Sequence, residues 1–218
     1  MQYFDDDTFA FLRELRTHNE REWFNENKER YERSVKEPLL QFISDVGPEL
    51  KKISTSLVAD PRPVGGSMFR IYRDVRFSKD KSPYKTHAGA HFPSGGRMAG
   101  PGYYLHVSPG ESFVAGGIWM PEPAVLQKIR ERISGRPAEW KKARVTLDDT
   151  EDVLKRPPRG FDADDPLIED IKRKSFTGSV PLSEQQMKRA GLVKTFIRGC
   201  KEMSPLMRFL AGAAGVRW

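Results

Sequence analysis

Apolar residues along the first quarter of the chain recur at helical spacing. Phe9, Leu12 and Leu15 mark one helix, and Leu39, Ile43, Val46, Leu50 and Ile53 form a stripe that predicts a core-facing helix. Between them, Asn19 and Glu22 have the spacing of a capping box, which predicts a second helix through Trp23, Asn27 and Tyr31. Gly47-Pro48 is expected to kink or divide the third helix. Residues 8–56 are therefore expected to be helical.

The loop-forming run Asp60-Pro61-Arg62-Pro63-Val64-Gly65-Gly66 separates this region from one of period two. Phe69, Ile71, Val75 and Phe77 alternate with Arg70, Tyr72, Asp74 and Arg76, which predicts a strand. A second short strand is expected from His87 to Phe92. Tyr103 to Ser108 and Ser112 to Trp119 flank Pro109-Gly110 and read as a hairpin. Residues 67–120 thus predict an antiparallel sheet. Gly95-Gly96 reads as a turn. Gly116-Gly117, inside a predicted strand, marks a bulge or the close approach of a backbone or ligand.

Pro121-Glu122-Pro123 restarts helix, with Val125, Ile129 and Ile133 on one face. Gly135 ends that helix, and Pro137 begins another near Trp140. Residues 148–166 are irregular, and the rigid, basic run Arg156 to Phe161 either docks over the sheet or crosses the surface. A short helix at Leu167–Lys174 and a strand at Ser175–Val180 precede a second capping box, Ser183 with Gln186, that opens the C-terminal helices. The expected class is α+β: N-terminal helices, a central antiparallel sheet with a hairpin, and C-terminal helices over 121–214, in one domain spanning 1–218.

Composition adds a charge argument. The chain carries a net +7 over 218 residues. From Phe69 to Lys85 it has six Lys or Arg against two Asp, a net +4. Nothing anionic is identified by net charge alone, but clustering of this kind points to a place. Arginine forks match phosphate or carboxylate, and lysines add point charges. Arg70, Arg73, Arg76, Lys79, Lys81 and Lys85 are the candidate ligand-binding cations, with Tyr84 as a stacking face and Asp74 orienting Arg70 or Arg76. Arg73 is anomalous: alternation puts it on the apolar face, where a guanidinium needs a partner or a cavity.

Other chemistry is sparse. Cys200 is the one cysteine, which excludes an intramolecular disulfide, and it falls on a helical face with Val193, Ile197 and Met203. His87 and His91 lie about 13 Å apart on an extended strand, too far to share an ion, and no metal site is expected. His18 reads as a surface or capping residue. Asp74, His87 and His106 are the weak candidates for acid–base work, and no nucleophile elbow or phosphate-binding glycine loop is present. The sequence names no cofactor. The acidic N-terminus is unlike a signal peptide, and no apolar run is long enough to span a membrane, so no membrane partner and a cytoplasmic location are expected.

Several motifs together resemble a known family. They are Asn19-Glu20-Arg21-Glu22-Trp23-Phe24 with Asn27-Lys28, the long run Arg73 to Thr86, Gly102 to His106, Gly116-Gly117-Ile118-Trp119 with Pro121, and Pro158 to Phe161. The chain is similar over nearly its whole length to domain-of-unknown-function family 2461, found in bacteria and fungi. His18-Asn19 stands where that family often has Asn-Asn. The resemblance implies one domain and assigns no activity or catalytic residue. It also suggests that the polar N-terminal motif packs over the basic strand, with Glu22 as a partner for Arg73. Three functional expectations remain. The first is binding of an anionic, phosphate-bearing ligand, a nucleotide or nucleic acid, at the basic strand and loop. The second is an enzyme acting on a small nucleotide-like substrate, and the third an interaction or structural module whose charges form an ion-pair network.

Overall fold

The computed structural model of the chain describes residues 1–95 and 100–218. Helix α1 (Asp6–Thr17) opens with a capping box in which Asp5 accepts from the Thr8 amide. It buries Phe9, Phe11, Leu12 and Leu15, the face its spacing predicts. Short helices α2 (Arg21–Glu26) and α3 (Lys28–Tyr31) follow. A π-helical turn at Glu32–Lys36 then leads into α4 (Glu37–Ile53). Gly47-Pro48 does not divide α4, which runs through Pro48. Val46 and Leu50, both fully buried, anchor the helix on either side, so packing outweighs the hydrogen bond that proline removes.

The expected capping box at Asn19 and Glu22 does not form. Glu20 is the N-cap of α2, without a side-chain cap, and the Asn19 side chain turns instead to a distant backbone.

Strands β1 (Ala88–Pro93), β2 (Gly102–Val107), β3 (Ser112–Ile118) and β4 (Phe176–Leu182) form an antiparallel sheet in that order. His91 pairs with Tyr104, His106 with Phe113, and Gly116 with Gly178. Period-two alternation places Ala90, Phe92, Tyr103, Leu105, Val107 and Val114 on a buried inner face. Gly110, at φ 77°, takes the left-handed turn position of the β2–β3 hairpin. Gly95, at φ 70°, fits its expected turn, and Gly96 lies outside the described residues.

The strand expected at 69–77 is a correction. Residues 67–87 form an irregular excursion that touches β1 through one isolated bridge, Met68 to Ala90, and closes on itself through another, Tyr72 to Tyr84. Phe77, expected on the apolar face, is 95% exposed. Alternation carried the prediction, but Pro83 and charge-rich turns leave too few ladder bonds for a regular strand.

Helix α5 (Pro123–Gly135), α6 (Pro137–Ala143), a 3-10 turn at Arg144–Thr146 and α7 (Ile168–Ile171) precede β4. The Ser183–Gln186 capping box then opens α8 (Glu184–Lys188) as expected. The long α9 (Leu192–Ala214) lies along the inner face of the sheet, with Gly199 against Val114. It joins two cores. Phe196, Cys200 and Met203 pack with α1, α4 and the sheet, while Phe209 and Leu210 pack with Trp140, Ile129 and Phe176. Each such fully buried large side chain contributes roughly 1.5–3 kcal/mol. Phe161 packs against the second core, so the Arg156–Phe161 run is an anchored surface crossing, with Arg156 and Arg159 exposed.

Candidate functional site

The excursion at 67–87 is held by few but well-placed contacts. Arg73 N–H donates to the Pro83 carbonyl at 2.9 Å, and Lys85 N–H donates to that of Ile71 at 2.8 Å. From the far side, Asn19 Nδ2 donates to the Tyr84 carbonyl and Asn19 Oδ1 accepts from Tyr84 N–H, both at 3.0 Å. The Tyr84 ring is 3% exposed and stacks on Phe24 at 4.1 Å between centroids. Tyr84 is therefore an anchor, and its ring is not open to a ligand as the sequence suggested. The N-terminal motif does pack over the basic segment, but through Asn19 and Phe24 rather than Glu22.

Pinned in this way, the segment walls a cleft of about 360 Å³. Arg16 from the last turn of α1, Arg73, Lys85, His87 and Asn19 line it, and Asp80 is the sole carboxylate among the described lining residues. Arg73 finds its partner in Asp80, seven residues away, and not in Glu22. Asp80 Oδ1 also accepts from Ser82 Oγ at 2.6 Å and Ser82 N–H at 2.9 Å. The Ser82 hydroxyl, then Arg73, hold the Asp80 carboxyl well below the usual range. Lys85 Nζ donates to the Arg70 carbonyl at 2.8 Å and sits over the Phe69 ring at 5.4 Å. Burial, and then Arg70, lower its pKa.

The remaining predicted cations point elsewhere. Arg76 forks onto Asp74 at 2.9 and 2.6 Å, so Asp74 orients Arg76, as expected. That contact brings Asp74 down to about 2, which suits an ion pair and not a proton donor. Lys81 Nζ donates to the Val75 carbonyl at 3.0 Å. Lys79 and Arg70 are exposed, and Arg70 lines a second cleft of about 710 Å³ with Phe69, His91 and Arg62. The clefts adjoin where Lys85 reaches the Phe69 ring and the Arg70 carbonyl.

His87 and His106, separate in sequence, are ring neighbours at 4.4 Å. Burial lowers the pKa of both; Lys85 adds to the effect at His87, and His87 adds to it at His106, which falls to about 4. Both imidazoles are thus neutral at pH 7, and the hydroxyl of Tyr104 lies 3.0 Å from His106 Nδ1. No three His, Cys, Asp or Glu side chains among the described residues gather closely enough to hold a metal ion.

Sequence reasoning missed Arg16, Asn19 and Phe69 as site residues. Arg16 and Asn19 lie fifty or more residues from the basic segment. Phe69 was assigned to the apolar face but is 46% exposed. The motif around Asn19, too polar for a core helix, was the available signal. Gly116-Gly117 resolves as close approach between protein groups: a Cβ at Gly116 would meet the Tyr103 ring at 2.9 Å, and one at Gly117 the Phe176 carbonyl oxygen at 2.1 Å. No helix among the described residues is long and apolar enough to cross a membrane.

Fold and site define an α+β protein with helices on the inner face of an antiparallel sheet and a basic cleft beside the other. The chain belongs to the family described as conserved hypothetical protein (DUF2461), whose model matches residues 7–209. Comparison with curated proteins and with solved structures finds no match.

Proposed function

We propose that the protein binds a phosphate-bearing ligand, a nucleotide or nucleic acid, in the cleft lined by Arg16, Arg73 and Lys85. The observation that carries this reading is the convergence of three cations, from α1 and from both limbs of the excursion, on a cleft with one carboxylate. Asp80 offsets one of them and leaves the cleft electropositive. Charge-assisted bonds to phosphate are strong there, because Lys85 is already partly stripped of water.

A second reading is favoured by His87, which lines the same cleft in neutral form. A neutral imidazole beside a bound phosphate ester can accept a proton, so turnover of a small nucleotide-like substrate is consistent with the site. The ion-pair module draws support from Asp74–Arg76 and Asp80–Arg73.

The test is a thermal-shift series with pyrophosphate, nucleotides and oligonucleotides between about 50 and 200 mM salt, on wild type and Arg16→Ala. Arg16 is exposed, so its removal spares the fold. Stabilisation by a phosphate-bearing ligand that Arg16→Ala abolishes supports the cleft. Stabilisation by none of them overturns it and favours the ion-pair module.

A further inference from the structure

The sheet has two unlike faces. α9 covers the inner one, and the outer one carries rings. On β1, β2 and β3 the outward positions include Gly89, His91, Gly102, Tyr104, His106 and Phe113. The glycines leave room for the rings: a Cβ at Gly89 would fall 2.3 Å from the Tyr104 hydroxyl, and one at Gly102 would fall 2.2 Å from His91 Nε2. The result is a contiguous row of rings, a pavement in which Tyr104 is tilted 46–56° to its neighbours. His106 and Phe113 are parallel within 8° at 4.7 Å, and His87 lies 4.4 Å from His106. Tyr104 then bridges Phe113 at 5.9 Å to Phe69 at 5.8 Å, and Phe69 is parallel to His91 within 6°.

This pavement is continuous with the basic cleft. His87 lines the cleft and touches the ring row, while Lys85 lines the cleft and caps Phe69. The rings extend across three strands spaced about 4.8 Å apart, more than one base covers. Cations stand along one margin, where a phosphate backbone would run. Base faces stack on aromatic rings regardless of sequence, and the neutral imidazoles offer π faces free of like-charge repulsion toward the margin cations.

We infer that the ligand is single-stranded nucleic acid, its bases laid on the outer sheet face through Phe113, His106, Tyr104 and Phe69 and its phosphates in the cleft of Arg16, Arg73 and Lys85. The inference rests on the phosphate-binding reading and names the ligand of that site.

The experiment is anisotropy titration of a labelled single-stranded octanucleotide, with a mononucleotide, pyrophosphate and a duplex of equal length as competitors. The variants are Phe113→Leu and Phe69→Leu, which keep apolar bulk but remove the ring, and Arg16→Ala. Each ring variant is expected to weaken octamer binding roughly tenfold with unchanged salt slope, and Arg16→Ala to weaken it with a slope smaller by about one. Ring variants that bind as wild type, while Arg16→Ala weakens binding, overturn the stacking and leave the phosphate reading standing. A mononucleotide or duplex that competes as well as the single strand also overturns it. If no probe binds, both readings fall.

Discussion

Asn19 and Tyr84, 65 residues apart, are joined as two strands of a sheet would be: the Asn19 carboxamide both donates to and accepts from the Tyr84 peptide, each bond at 3.0 Å. The clamp ties the turn after α1 to the limb that carries Lys85 and His87. It thereby sets the width of the basic cleft. A carboxamide presents a donor and an acceptor in one plane, which a carboxylate of the same size does not.

Asn19→Asp is therefore expected to cost about 1–3 kcal/mol, because the Tyr84 carbonyl then faces a second acceptor. Urea denaturation measures the loss, and amide exchange over residues 72–86 should accelerate while that of α9 changes little. Unchanged exchange in the segment would show that the clamp is not what holds it.

Tyr84 separates an anchoring role from a ligand-stacking one. Tyr84→Phe keeps the ring on Phe24 and should leave stability within about 0.5 kcal/mol. Tyr84→Ala empties a buried ring site and should cost about 3–5 kcal/mol. Guanidinium denaturation of the pair checks both. An alanine variant as stable as wild type would return Tyr84 to the list of ligand-contacting residues.

The imidazoles of the outer sheet face make stability depend on pH. His106 is lowered to about 4 by burial and then His87, and His87 is lowered by burial and then Lys85. Burial alone lowers His91. In the unfolded chain these groups titrate near 6.5, so between roughly pH 6.5 and 4 the unfolded state binds more protons. Their contribution is complete above the unfolded value and is lost as pH falls through the folded one. The urea midpoint of wild type should fall across this window. That of His106→Phe, which keeps a ring without a proton site, should fall less. Imidazole NMR titrations showing all three near 6.5 would contradict the prediction.

Two glycines should respond differently to substitution. Gly117→Ala drives a Cβ to within 2.1 Å of the Phe176 carbonyl oxygen at φ 146°, and should destabilise by about 1–3 kcal/mol or more. Gly110→Asn places a residue tolerant of positive φ in open space at the hairpin turn, and should be close to neutral. Thermal unfolding midpoints decide between them.

Much of the fold was legible because its signals are local. The faces of α1 and α4, the β2–β3 hairpin, the Ser183–Gln186 cap and the burial of Cys200 each follow from the spacing of residues near one another in sequence. So did the pairing of Asp74 with Arg76. The failures share a cause. Asn19 has a good N-cap side chain, but the Tyr84 peptide satisfies both its donor and its acceptor, and one cap bond does not compete. Phe69 to Phe77 alternates as a strand does, yet alternation states only which way side chains point. A ladder also needs a partner strand in register.

What the sequence by itself determined is the α+β class, the order of helices and strands, and a concentration of positive charge between residues 69 and 85. Those properties depend on propensity, periodicity and composition, which neighbouring residues carry. Tertiary structure decided that Asp80 neutralises Arg73, that Arg16 joins Lys85 across the cleft, and that His87, His106, Tyr104, Phe113 and Phe69 meet in one ring-lined surface. Most of those groups lie on different elements of the fold, and only the closing of the sheet and the Asn19 clamp bring them within reach.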